Sequence, residues 1–227
     1  MNKQQFQDQV SQILYEFSPQ EYIFEELINR YEIFHPFYDL DSIATKVIDY
    51  FKERLIQHKR EVYKAGQELI FKYKIGEFMK LSVVETEIHL AKNLLLHDLS
   101  KFSATEALPY ATHDFSNSHS KGTPEFQYAW CHHKAVNPHH PEHWYNPTRS
   151  GKLNVLPMQD IYIVEMLADW IGAGRTWGNE LETWLPDNLH TFVFHEETME
   201  KLKMILEHLG YEVEKKEGKL FTTGLTA

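Results

Sequence analysis

The chain has 227 residues, a formal net charge of −10 with its histidines neutral, and 42% apolar residues, which is enough for a sizeable core. The acidic balance disfavours an extended nucleic-acid surface and binding to anionic membranes, because both need an excess of basic groups. A single cysteine, Cys131, excludes an intramolecular disulfide, and the absence of a signal peptide and of any apolar run near the ~20 residues of a membrane span predicts a cytoplasmic protein.

Helical spacing of apolar residues dominates the first third of the chain. It predicts two helices over residues 2–17 and 20–34, with a Ser-Pro step between them that favours a break. A long third helix, capped by Asp41 or Ser42, is predicted to extend to about Tyr73.

Three shorter segments follow. A helix is predicted over about 82–98, and the pattern Ser103-Ala-Thr-Glu106 is a capping box that predicts another helix through about Phe115. A helix is also predicted over about 124–136, and the proline-punctuated segment behind it cannot be one regular element.

The C-terminal part contains two more predicted helices and a turn. Pro157 fits the first turn of a helix that ends near Gly174, and residues 196–209 form an amphipathic helix that a glycine stops. The tail predicts a small hairpin around Glu217 and Gly218. The predicted fold class is therefore all-α, with an N-terminal helical pair and a small C-terminal appendage.

Histidines are concentrated in one region. Eight of the fourteen lie between His97 and Trp144. Imidazole is the commonest protein ligand for transition metals, and packing alone does not explain such crowding. The sequence therefore predicts a metal site.

Two of the candidate ligands fall on apolar helix faces. His58 lies on the inward stripe of the long helix, and His97 closes the stripe formed by Leu90 and Leu94. An isolated core histidine is ordinarily hydrogen-bonded to a carbonyl, but Asp98 on the adjoining face is a carboxylate that needs a partner when buried. A metal ion supplies that partner.

A carboxylate pair lies further along. Glu165 and Asp169 are spaced i, i+4 on one helix face, where the ordinary alternative is an exposed acidic edge. Because several predicted helices each carry a donor, a site between helices is the interpretation that uses them all.

The motifs resemble a known superfamily. The order His58, then His97-Asp98, then Asp169 resembles the HD-domain metal-dependent phosphohydrolases, and HDLSK resembles their HDxxK variant. The stretches HDLSKFSATEALPYA, HHKAVNPHHPEHW and EMLADWIGAG also resemble an uncharacterised family of bacterial and phage proteins at the edge of that superfamily. The resemblance covers roughly residues 54–175.

An HD-like helical bundle is what this resemblance implies for the fold. The corresponding division of the chain is an N-terminal helical extension over 1–40, a metal-binding core over 41–178, and a C-terminal helix with a hairpin over 179–227.

The resemblance also implies a ligand set. His58, His97, Asp98 and Asp169 would bind one divalent transition metal, which could be Mn, Fe, Co, Ni or Zn. Superfamily members with two metals use two further histidines for the second ion. The candidates for that role here are His133 and His140, with His139 close behind and His132 and His143 left open.

Hydrolysis of a phosphate ester is the chemistry that such a site implies, because a divalent ion activates water and polarises a phosphoryl oxygen. Lys101, a turn beyond Asp98, could neutralise a phosphate oxygen, and Arg175 is a second candidate for that task. Glu165 could act as a general base or orient a ligand.

Three functions remain open at this point. The favoured one is a metal-dependent phosphohydrolase acting on a small phosphorylated metabolite, with a nucleotide as the favoured substrate class. The alternatives are a diiron HD-type oxygenase and a non-catalytic interaction protein that metal stabilises. Metal identity, substrate identity and homo-oligomer formation are left undecided by the sequence.

Overall fold

The described chain is mostly helical, with two short antiparallel hairpins. The computed structural model describes residues 40–103, 105–115 and 122–225. All-α is therefore correct as a broad class for these residues, although the hairpins lie outside it. The helices predicted over 2–17 and 20–34 fall outside the described residues, and the HD-like bundle stays a prediction.

A long helical segment opens the described chain, as the apolar spacing predicts. It consists of α1 (Leu40–Tyr50), a π-helical turn (Phe51–Leu55), α2 (Ile56–Gln67) and a second π-helical turn (Glu68–Lys72). Residues from Leu40 onward are already helical. The prediction that Asp41 or Ser42 caps this helix is therefore wrong, because both lie inside its first turn.

The middle of the chain is a series of shorter helices. They are α3 (Ile75–Phe78), a π-helical segment (Val84–Leu90), α4 (Ala91–Leu96), a 3-10 turn (Leu99–Phe102), α5 (Ala107–Phe115) and α6 (Pro124–Val136). Thr123 caps α6, since its Oγ1 accepts a hydrogen bond from the Phe126 backbone N–H at 3.3 Å, and Pro124 suits the first helical position.

The remaining elements include both hairpins. In chain order they are a 3-10 turn (Pro141–Trp144), β1 (Tyr145–Pro147), β2 (Leu153–Val155), α7 (Asp160–Trp177), α8 (Leu181–Asn188), a 3-10 turn (Leu189–Thr191), α9 (Glu196–His208), β3 (Tyr211–Lys216) and β4 (Lys219–Leu225). The predicted C-terminal hairpin is confirmed, with Glu217 at φ 50° and Gly218 at φ 73° in its turn. Helix α7 begins three residues after Pro157, so the predicted start is early.

Contacts divide the chain into two compact units that are discontinuous in sequence. Within the described residues, the first unit combines 40–59 with 95–103, 105–115 and 122–137, and the second combines Arg60–Leu94 with 138–225. The predicted division at residues 40 and 178 stays a prediction. Each unit has its own apolar cluster.

In the first unit the apolar cluster lies among α1, the π-helical turn behind it, α5 and α6. The rings of Phe51 and Phe102 pack with centroids 4.7 Å apart, and Tyr110 packs against Phe126 at 5.3 Å. These large, fully or nearly buried side chains fix the helices that carry the histidines of this unit.

In the second unit α7 lies in the core, with most of its residues between Ile163 and Gly174 buried. The Met158 backbone N–H donates to the Thr198 hydroxyl at 2.9 Å, which joins the chain just before α7 to α9. Trp170, Trp184 and Phe192 form an aromatic group of half-buried side chains packed against this core. Among the described residues, none of the helices combines the length and apolar character that crossing a bilayer requires.

Candidate metal centre

Asp98 stands at a sharp change of backbone direction. Helix α4 ends at Leu96, and Asp98 adopts the left-handed conformation with φ 56° and ψ 24°. The helix predicted over about 82–98 therefore ends two residues before Asp98, which it was expected to include. The buried Lys59, which is 1% exposed, supplies hydrogen bonds to backbone carbonyls at this helix end. Its Nζ donates to Leu95 O at 3.2 Å and to His97 O.

Three imidazole rings of the first unit face the Asp98 carboxylate. His58 Nε2 lies 3.3 Å from Oδ2, and His97 Nε2 and His133 Nε2 lie 3.6 and 3.3 Å from Oδ1. All four side chains are buried. The prediction that His58, His97 and Asp98 point inward is confirmed, and His133 joins them from α6.

A cation lies on the same carboxylate. Lys101 Nζ is 2.6 Å from Asp98 Oδ2 and 5.1 Å from the centre of the Tyr110 ring. Burial by itself would raise the pKa of Asp98, but the charges of His97, Lys101 and His133 outweigh it and hold that pKa well below its usual range. Asp98 is therefore an ionised carboxylate at neutral pH.

Glu106 is the acidic residue that sequence reasoning missed. Its carboxylate is fully buried and contacts His132 Nδ1 at 2.7 Å and His133 Nδ1 at 2.9 Å, and it accepts from the Ser100 hydroxyl at 3.0 Å. Burial raises the pKa of Glu106 to about 7, although hydrogen bonds from His132 and Ser100 act to lower it.

The capping-box interpretation of Glu106 is therefore wrong. Its backbone N–H donates to Ser103 O at 3.2 Å, while its side chain bonds the histidines of α6 instead of the start of α5. One signal in the sequence could have indicated its burial. Glu106 begins the mostly apolar stretch EALPYA, and a carboxylate buried with such a stretch needs polar partners.

A second group of candidate ligands belongs to the second unit. His139 Nδ1 lies 3.2 Å from Glu165 Oε1, and His139 Nε2 lies 3.9 Å from Asp169 Oδ2. The His140 ring packs on His139 with centroids 4.4 Å apart. Glu165 is 4% exposed and the Asp169 side chain 15%, so the prediction that the two share an inward face is confirmed and the exposed acidic edge is excluded.

The predicted ligands thus form two described groups. The first contains His58, His97, Asp98 and His133, and the second contains His139, His140, Glu165 and Asp169. The predicted sharing of one ion by Asp169 with His58, His97 and Asp98 stays a prediction. Binding of a second ion also stays a prediction.

The other candidates have different surroundings. Arg175 donates from Nη1 and Nη2 to the two Glu68 carboxylate oxygens at 2.9 and 2.8 Å, so its guanidinium is engaged in a two-point ion pair. Its predicted contact with phosphate stays a prediction, and we assign it no part in the centre proposed below. His143 packs edge-on against Trp144, and the Cys131 thiol is free and exposed.

The residues of the first group fit a divalent transition metal. His58, His97, Asp98 and His133 are all among the buried residues that could hold a metal ion, although in different combinations. Three imidazole nitrogens and one ionised carboxylate are ligands that suit Mn, Fe, Co, Ni and Zn. Glu106 contacts the other nitrogen of His133, and metal-binding histidines commonly have a carboxylate in that position. Chemically, the group can bind such an ion and present a cation, Lys101, beside it.

These features define a mostly helical protein with buried His and Asp groups suited to a metal. The model of a family of unknown function, DUF5662, matches residues 47–208, which include both groups, and the chain belongs to that family. Comparison with curated proteins and with solved structures gives no match. The chemistry of the site is therefore the basis for a function.

Proposed function

We propose that this protein is a metal-dependent phosphohydrolase acting on a small phosphorylated metabolite, with a nucleotide as the favoured class. The observation that carries the proposal is the convergence of His58, His97 and His133 on the ionised carboxylate of Asp98, with the Lys101 ammonium 2.6 Å from the same group. A bare ion pair would not need three imidazoles around it.

The ion would be held by His58, His97, Asp98 and His133. When bound, a divalent metal supplies Lewis acidity toward a phosphoryl oxygen and toward the attacking water. The buried carboxylate would provide negative charge that offsets the bound ion, and the three imidazoles, which ligate only in their deprotonated form, would add ligands without adding charge.

Lys101 gives the centre its affinity for an anion. Its ammonium lies over the Tyr110 ring and beside Asp98, where it would bind a non-bridging phosphate oxygen and stabilise negative charge that accumulates as the ester bond breaks. The neighbouring aromatic ring lowers access of water to this ammonium, which strengthens its interaction with phosphate.

A small substrate suits the charge of the chain. The formal net charge is −10, and a polymer of phosphates would meet that repulsion along its whole length, whereas a single phosphorylated metabolite meets it at one point. A nucleotide is the favoured class on this ground and on the resemblance to HD-domain enzymes.

Burial of all four donors favours a second candidate, a non-catalytic protein in which the ion joins helices. Each donor residue is at most 2% exposed, and structural metal sites are typically closed to solvent. A diiron oxygenase is the third reading.

The deciding experiment is a phosphatase screen on metal-free protein reloaded with Mn²⁺, Co²⁺, Ni²⁺ or Fe²⁺. We expect metal-dependent phosphate release from at least one phosphorylated metabolite. His97→Ala and Asp98→Ala should lose both bound metal, measured by elemental analysis, and activity, because each removes a ligand. His89→Ala, an exposed histidine in the second unit, is the matched control and should keep both.

The outcomes separate the three functions. A folded Asp98→Ala variant that keeps its full metal content would remove the proposed centre. A silent panel together with oxygen consumption by the iron-loaded protein that depends on an organic substrate would support the oxygenase. Bound metal with neither activity would leave the interaction protein.

A further inference from the structure

Glu106 lies where it can govern the chemistry of His133. One of its oxygens, Oε2, is 2.9 Å from His133 Nδ1, while the opposite nitrogen of that ring, Nε2, is 3.3 Å from Asp98. The ring therefore stands between two buried carboxylates, each facing one nitrogen. Which nitrogen keeps a proton decides which one can offer a lone pair to a metal.

The surrounding hydrogen bonds fix the direction of this network. Asn137 Nδ2 donates its two hydrogens to Ser100 Oγ and to His133 O, both at 2.8 Å. Ser100 then uses its own hydrogen to donate to Glu106 Oε2. Asn137 Nδ2 and Ser100 Oγ also lie 3.0 and 3.3 Å from His133 Nδ1, but neither has a hydrogen left for it. An ionised Glu106 can only accept, so beside it the Nδ1 of a neutral His133 ring is the donor.

The second oxygen of Glu106 serves the neighbouring histidine. Oε1 lies 2.7 Å from His132 Nδ1, on a side chain that is 33% exposed. Consecutive residues of a helix point in different directions, so a single carboxylate can reach both rings only if it lies between them at the end of α6. Two histidines and a serine thus meet at one buried carboxylate, and Asn137 donates to that serine.

We propose that Glu106 is a positioning residue that holds His133 as its Nδ1-protonated form, so that Nε2 is the nitrogen presented at Asp98. This assignment rests on the proposed metal-dependent function for its purpose, although the ring position it describes is a property of the metal-free chain. Carboxylates that fix ligating histidines in this way raise metal affinity by orienting the ring before the ion arrives.

The test compares Glu106→Ala with Glu106→Gln in metal-free protein. Long-range proton–nitrogen NMR at a pH where the imidazoles are neutral reports which nitrogen of His133 carries the proton, and the signal is identified by its loss in His133→Ala. We expect the wild type to show Nδ1–H. Glu106→Ala should shift His133 toward Nε2–H, whereas Glu106→Gln should keep Nδ1–H, because the amide oxygen still accepts.

Metal affinity supplies a readout independent of catalysis. Titration with Co²⁺ should show an affinity about 10- to 100-fold weaker in Glu106→Ala, with a smaller loss in Glu106→Gln. Glu125→Ala, which removes an exposed carboxylate from the first turn of the same helix, is the matched control and should leave the proton position and the affinity unchanged.

Two results would overturn the positioning role. One is a wild-type protein whose neutral His133 carries its proton on Nε2, which needs no variant to fold. The other is a folded Glu106→Ala variant with Nδ1–H and unchanged Co²⁺ affinity. The proposed function fails separately, if the wild type shows Nδ1–H and binds Co²⁺ but releases phosphate from no substrate.

Discussion

Asp98 shows how a local backbone feature serves the centre. Non-glycine residues rarely adopt positive φ, and aspartate tolerates it better than most because of its short polar side chain. Among the described residues with positive φ, Asp98 is buried, whereas Glu217 lies exposed in a hairpin turn. This conformation follows the end of α4 and turns the carboxylate toward three imidazoles. The conformational free energy that it costs is therefore spent at the candidate metal centre.

Lys101 is the residue whose removal should affect turnover most selectively. We expect Lys101→Ala to lower kcat by roughly ten- to a thousand-fold while metal content stays intact, because one preorganised charge is lost and no ligand is. Steady-state kinetics and elemental analysis on the same preparation check this. Lys92→Ala, an exposed lysine of the second unit, should change neither quantity. If metal disappears along with activity, Lys101 is a structural partner of Asp98.

Sequence reasoning reached some of these residues and not others for a physical reason. His58 and His97 follow apolar stripes of period 3.6, and their burial at 2% and 1% confirms the inward direction. Glu106 also has helical spacing to the buried residue Tyr110, but a glutamate three residues after a serine equally fits the pattern of a capping box. The choice depends on which histidines of α6 stand opposite, and that is not a local property.

At the scale of elements, close packing of α7 on α2 in the second unit depends on one glycine. A Cβ on Gly172 would lie 2.5 Å from the Val62 backbone nitrogen and 2.6 Å from its Cγ2. A backbone atom cannot move aside as a flexible side chain can, so the two helices would have to separate. This approach brings the helix of Glu165 and Asp169 against Val62.

Gly172→Ala should therefore destabilise the protein by about 1–3 kcal/mol, in spite of the better helix propensity of alanine. Chemical denaturation of the metal-free protein measures the change. Gly122→Ala is the matched control, because a Cβ there meets none of the described residues within 4 Å, and it should stay within about 0.5 kcal/mol of the wild type. Equal stability of the two variants would mean that α7 and α2 adjust freely.

Element boundaries were predictable where the signal was long or chemically specific. The helix to about Tyr73, α6 and α9 are confirmed, as is the hairpin at Glu217. Helix α8 was missed because it is eight residues long and contains Pro186, which argues against a helix interior. The strands β1 and β2 have three residues each, too few for an alternating pattern.

At the scale of the whole molecule, the two units could not be predicted from periodicity. Each unit takes segments from both sides of an intervening stretch, with changes at Lys59, Leu94 and Asn137. Apolar spacing reports which face of an element is buried and says nothing of its partner. The core of the second unit contains Leu69 and Leu94 as well as Leu167 and Leu202, so residues far apart in the chain must fold together.

The net charge of the chain, to which all its ionised groups contribute, leads to a prediction about how kcat/KM depends on salt. A chain with a formal charge of −10 repels an anionic phosphate ester over distances that depend on salt. The Debye length falls from about 30 Å at 0.01 M to about 8 Å at 0.15 M, so added salt should screen this repulsion much more than the short-range attraction of Lys101. We expect kcat/KM to rise several-fold over this range, as steady-state rates in NaCl and in KCl should both show.

A comparison of two substrates makes the electrostatic origin testable. A phosphate monoester, close to dianionic at pH 8, should show a steeper rise with salt than a monoanionic diester of the same alcohol, since the repulsion scales with substrate charge. Equal slopes would point to an effect of salt on the protein itself. A fall of kcat/KM with salt for both esters would contradict the prediction, and it would mean that the positive field around Lys101 governs the encounter in spite of the acidic chain.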